Sequence, residues 1–169
     1  MHIYDVSTIR RVKHEVQINW SRECTFSTRQ INFISQNTPI SRGIYCIYAK
    51  NQTFAYESRR WPNRRCSRVV YIGCGWLDQR LVHHLRYGKN SVLTGFIENF
   101  DLAFRWDRIS DTDPIIDYPR AIEAALLSLF QEKFDLMPPA NRREERTPEL
   151  GCDEFTIAQS SNFDFLAQG

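Results

Sequence analysis

Two short runs dense in Ile, Val and Tyr carry mirror-image tripeptides, Gly43-Ile44-Tyr45 and Tyr71-Ile72-Gly73. Aromatic and β-branched residues suit a pleated, half-buried backbone, so 43–49 and 68–74 are predicted strands. Side chains alternate along a strand, which puts Gly43, Tyr45 and Ile47 on one face of the first. Val69, Tyr71 and Gly73 share one face of the second by the same rule. An antiparallel pairing can then bring both tyrosines to one surface, with glycines beside them letting another molecule approach. The plainer reading is two ordinary strand tyrosines.

Hydrophobic spacing places the other elements around this pair. Val12, Val16, Ile18 and Trp20 recur at period two, with His14 the odd member of that face, a strand pattern. A mixed stretch at 27–37 reads as a short helix closed ahead of Pro39. The spacing predicts a helix over 77–87 that buries Leu77, Leu81, Val82 and Leu85 and stops at Gly88. Residues 99–109 alternate as a third strand of the sheet. Pro119 opens the clearest helix, 119–134, with Ile122, Ala125, Leu126, Leu129, Phe130 and Phe134 as its apolar arc. The order predicts an α+β domain, a small and mostly antiparallel sheet flanked by helices.

At 169 residues the chain is one domain by size, large enough to bury a core. It divides into an N-terminal arm (1–42), a core (43–141) and an acidic C-terminal tail (142–169). From Pro148 the tail holds four acids and no Lys or Arg, and is expected to be partly mobile. No apolar run is long enough for a membrane span and no basic-apolar-small leader opens the chain, so a cytoplasmic protein is expected. The five cysteines are an odd number without a CxxC pair, which argues against a disulfide framework and a structural zinc. The net charge of +2 hides an asymmetry: residues 1–100 hold 15 Lys/Arg against 6 Asp/Glu, residues 101–169 hold 7 against 14. A basic half is what a docked polyanion requires, and it is also how helices stay soluble.

Four polar residues, Arg80, His84, Glu123 and Asn141, stand out on the helices and beyond them. Arg80, His84 and Tyr87 line up at spacings of four and three along one flank of the 77–87 helix, bordering its buried side. His83 points further toward solvent, so His84 is the candidate. The plain alternative is a snorkelling arginine and a rim histidine. Glu123 falls inside its helix's apolar arc, between the directions of Phe130 and Phe134. A carboxylate there is paired, metal-bound, or stabilised near the helix start, unless it simply escapes to solvent. Asn141 follows the stiff segment Met137-Pro138-Pro139-Ala140, which fixes where its amide points.

Taken in order, the two tripeptides, Arg80, His84, Glu123 and Asn141 resemble the GIY-YIG nuclease superfamily, named for those tripeptides, over residues 43–141. The resemblance implies a DNA endonuclease that hydrolyses phosphodiester bonds with one divalent ion, Mg²⁺ or Mn²⁺. Glu123 matches the family's metal-binding glutamate, Arg80 and His84 its helical Arg-x3-His, and Tyr45 and Tyr71 the motif tyrosines. Asn141 matches the late asparagine after a proline-containing turn. Mg²⁺ accepts few carboxylate oxygens plus water and phosphate, so one protein ligand suffices. Tyr45 is then the expected general base, although a phenol with a pKa of about 10 needs nearby positive charge to act near neutrality. His84 or Tyr71 would assist through hydrogen bonds, and Arg80 would face the charge of the transition state.

Two features depart from the family pattern. The 25 residues from Cys46 to Val70 are a longer interval than is usual between the tripeptides. They contain Arg59, Arg60, Trp61, Arg64, Arg65 and Arg68, a cationic and stackable set expected to contact DNA, unless it is only a solvated excursion. The turn after the second tripeptide reads Cys74-Gly75-Trp76 in place of small polar residues. Compactness, the long loop and the arm resemble the restriction-enzyme members of the family, which implies an enzyme cutting double-stranded DNA; a two-fold homodimer is one arrangement that would let each site cut one strand. A nicking or structure-selective nuclease of repair, recombination or mobile elements is the first alternative. A DNA-binding module without catalysis is the second.

Overall fold

The computed structural model describes residues 13–37, 41–56, 65–109, 118–141 and 154–158. Arg59, Arg60, Trp61 and Arg64 lie outside the described residues, as do residues 1–12 and most of the acidic tail. In chain order the elements are β1 (Lys13–Val16), β2 (Cys24–Thr25), α1 (Thr28–Asn37), β3 (Arg42–Ala49), β4 (Phe54–Tyr56) and β5 (Arg65–Ser67). There follow β6 (Val69–Trp76), α2 (Leu77–Tyr87), α3 (Ser91–Asn99), β7 (Leu102–Arg108), α4 (Tyr118–Phe134) and β8 (Glu154–Ile157). The described residues form an α+β structure with mostly antiparallel strand pairing.

The Ile- and Tyr-rich β3 takes the centre of a four-stranded antiparallel sheet of order β2-β7-β3-β6. Its two faces feed two cores. Ile44, Cys46 and Tyr48 pack against Ile122, Leu126, Phe130 and Phe134 of α4. Tyr45, Ile47 and Ala49 look the other way, toward Ile31 of α1, Leu77 and Leu81 of α2 and Leu93 of α3. Ile122, Leu126, Phe130 and Phe134 are 0–2% exposed. Each such burial stabilises by about 1.5–3 kcal/mol, so α4 is held by packing more than by helix propensity.

Simple alternation along β6 fails at one point. Ile47 pairs with Tyr71 but Tyr48 pairs with Val69, which leaves Val70 as an extra residue. A bulge of this kind reverses the alternation behind it. Val69 therefore joins the α4 side, and only Tyr71 and Gly73 keep the face that alternation had assigned to all three. On α4 the arc is also turned from its expected direction. Ala124 and Leu127 are buried, Ala125 is half-buried and Leu129 is 37% exposed. The sheet covers α4 on one side and β8 on another, and this second cover redirects the arc.

Several elements escaped the sequence reading. In the arm, burial alternates at His14, Val16, Ile18 and Trp20 as expected, yet only Lys13–Val16 is strand. Its partner is β8, parallel and in register from Lys13 opposite Glu154 to Val16 opposite Ile157. Residues 154–157 of the tail form a regular strand. The helix α3 was not foreseen, although Asn90 is a readable cap whose side chain accepts from Leu93 N–H. The flanks of the long loop pair as the β4–β5 ribbon. Tyr56 is set against Phe130 and Phe134 of α4, and Phe54 against Phe96 and Phe100 of the α3 end. Among the described residues no helix is long and apolar enough to cross a membrane.

Candidate functional site

Tyr45, Tyr71, Arg80 and His84 meet on the α1–α3 side of the sheet. In the β3–β6 register Tyr45 lies opposite Gly73, and Tyr71 sits one diagonal step away. Gly73 is needed for Tyr45 itself: an added Cβ would come within 2.6 Å of the Tyr45 hydroxyl and ring and of the Tyr71 ring. The expected open approach over this glycine is filled by the phenol. Gly43 serves a close strand approach, because a Cβ there would strike the Asp107 carbonyl of β7. The stem of Arg80 lies over Gly75, whose φ of +127° suits glycine.

Tyr45 is fully buried, and its hydroxyl lies 2.7 Å from His84 Nε2. The Tyr45 and Tyr71 ring centroids are 6.0 Å apart, and Tyr71 meets His84 edge-on at 4.9 Å. Arg80 extends from the preceding turn of α2, and its guanidinium charge acts on the Tyr45 hydroxyl. His83 meets Tyr87 at 5.0 Å, and its ring centroid lies 6.5 Å from that of His84.

Burial first, and then Tyr71 and Glu123, push the Tyr45 phenol well above its usual range, against the pull of Arg80. Burial, Arg80 and His83 lower His84 to about 4. At neutral pH the pair is therefore a phenol and a neutral imidazole, in which Tyr45 donates and Nε2 accepts. The imidazole then carries its proton on Nδ1. An imidazole depressed in the fold binds fewer protons than in the unfolded chain, so stability is complete above about pH 6.5 and falls as the pH drops toward 4. The loss is expected to be about 3 kcal/mol. Chemical denaturation of wild type and His84→Gln at both ends of that window checks it. An equal pH dependence in the two proteins would remove His84 as the source.

Glu123 approaches from the other layer. It is 4% exposed on α4, and Cys74 Sγ donates to its Oε2 at 3.1 Å. Cys74 pairs with Ile44 and so shares the α4 face. Glu123 nonetheless acts on the Tyr45 hydroxyl through its charge. Among the described residues no group of three or more His, Cys, Asp or Glu could hold a metal ion. A cation here would rest on the single Glu123 carboxylate, completed by water and substrate oxygens, a set that suits Mg²⁺ or Mn²⁺.

Asn141 is committed to the sheet. Its Oδ1 accepts from Ile72 N–H at 2.9 Å and its Nδ2 donates to Ile72 C=O at 2.8 Å. A carboxamide offers one acceptor and one donor as a peptide does, so Asn141 extends the ladder along edge strand β6. Ala140 N–H adds a bond to Val70 C=O, and Asn90 Nδ2 holds the Ala140 carbonyl. Asn141→Ala should cost about 1–3 kcal/mol in urea denaturation. Asn141→Asp, which lacks the donor, should fall between. An unshifted midpoint would mean that water replaces the amide.

Of the residues expected to touch DNA, Arg65 and Arg68 are described, and both donate to the protein's own carbonyls. Arg65 reaches Lys133 C=O at the end of α4 at 2.5 Å. Arg68 reaches Lys50 C=O at 3.0 Å and lies over the Tyr48 ring. Arg68 lies opposite Ala49, four residues or about 14 Å along β3 from Tyr45, and Arg65 sits in the β4–β5 ribbon opposite Tyr56. The other end of β3 has cations that the sequence reading passed over: Arg108 pairs with Gly43, and Arg42 with the 45% exposed Trp76. Only the sheet register, which periodicity does not reveal, brings them there. No protein-family model, curated protein or solved structure matches the chain.

Proposed function

We propose that the chain is a metal-dependent DNA endonuclease that hydrolyses phosphodiester bonds, in its most economical form a restriction-type enzyme cutting double-stranded DNA as a dimer. The observation that carries the reading is the 2.7 Å contact between the Tyr45 hydroxyl and His84 Nε2, with Tyr71 and Arg80 around it. Residues 39 positions apart are brought to hydrogen-bond distance inside a layer otherwise made of apolar side chains.

In this reading Tyr45 takes a proton from the attacking water while passing its own to His84. Neither group is a strong base at rest, since the phenol is held high and the imidazole low. A phosphate beside Arg80 offsets the guanidinium charge that depresses His84, so substrate arrival raises the imidazole's affinity for the proton. Arg80 then faces the negative charge that grows on the phosphorus oxygens. A divalent cation on Glu123 would neutralise the phosphate and the leaving oxygen.

The test is incubation of the full chain with supercoiled plasmid in Mg²⁺ and in EDTA. Metal-dependent cutting into discrete linear fragments is the expected result. Relaxed circles alone would favour the nicking reading. Binding without cutting in every divalent metal tried would sink the nuclease and leave a DNA-binding module.

A further inference from the structure

We infer that Cys74 is a positioning residue for Glu123, its thiol setting the orientation of the carboxylate that takes the divalent cation; the inference rests on the reading above. The thiol belongs to β6 and the carboxylate to α4, and the Sγ–Oε2 contact of 3.1 Å joins them. Between Ile72 and Trp76, Cys74 is the only residue of β6 with a side chain, because Gly73 and Gly75 flank it. The pairing of Cys74 with Ile44 aims it at α4.

A glutamate has three rotatable bonds, and a carboxylate that is 4% exposed pays heavily for a poor orientation. An ionised carboxylate offers about four acceptor positions. The Cys74 thiol takes one of these positions and ties the carboxylate of α4 to β6. Mg²⁺ and Mn²⁺ favour oxygen over sulfur, so the thiol acts here as a proton donor and not as a ligand. This gives a role to the turn Cys74-Gly75-Trp76, the place where the sequence departs from the family's small polar residues.

Mn²⁺ binding to the full-length protein without DNA, followed by electron paramagnetic resonance, tests the inference apart from catalysis. Cys74→Ala should weaken binding by about tenfold and Cys74→Ser, which restores a donor, should stay within about twofold of wild type. Melting temperatures of both variants report whether the fold is kept. Unchanged affinity in Cys74→Ala, or a serine variant as weak as the alanine, overturns the positioning role while the metal reading stands. Unchanged affinity in Glu123→Ala overturns both. Should Cys74→Ala fail to fold, the infrared S–H stretch decides, assigned by its loss in Cys74→Ser. It should lie at a hydrogen-bonded position in wild type and at a free-thiol position in Glu123→Ala. A free-thiol position in wild type overturns the inference.

Discussion

Tyr45→Phe should lower plasmid cleavage by about 10²–10⁴-fold under metal-saturated conditions, the range typical of a lost acid–base group. The change removes one hydroxyl from a fully buried ring and keeps the packing against Tyr71 and His84. What disappears is the partner of His84 Nε2. The stability cost should be modest, about 1–3 kcal/mol for the group left unpaired, so a folded but inactive variant is the expected product. Full activity would rule out Tyr45 as the general base.

Gly73→Ala should act on the fold and the site together. The added Cβ lands within 2.6 Å of both the Tyr45 and Tyr71 rings. Tyr45 is tied to His84, and both rings are packed under α2, so neither has free room to retreat. Overpacking of this kind costs about 1–3 kcal/mol. Displacement of the phenol by about an ångström should reduce cleavage by about 10²-fold. Gly95→Ala is the matched control: nothing lies within 4 Å of its Cβ position in α3. Helix propensity there predicts a gain of about 0.5–1 kcal/mol. A Gly73→Ala protein as stable and active as wild type would mean that the two tyrosines are not held as described.

Both experiments turn on residues that the sequence had singled out, and the reasons differ. Tyr45 and Tyr71 were legible because strand alternation is local: the backbone sends every second side chain the same way. Arg80 and His84 were legible because four residues are close to one helical turn. Glu123 stood out as a carboxylate on an apolar arc, and its burial follows from α4 lying on the sheet. Asn141 could be named from the resemblance, but its engagement with Ile72 depends on β6 being an edge strand.

Local periodicity in the amino-acid sequence thus determined the principal strands and helices, the α+β class and the faces carrying Tyr45, Tyr71, His84 and Glu123. Tertiary structure decided the rest. The Val70 bulge, the β1–β8 pairing, the arrival of Cys74 at Glu123 and the placing of Arg108 beside Gly43 all depend on register between distant segments. Register is settled by which apolar faces can be buried together and which backbone groups find partners. That choice is made by the whole chain at once, and no window of sequence contains it.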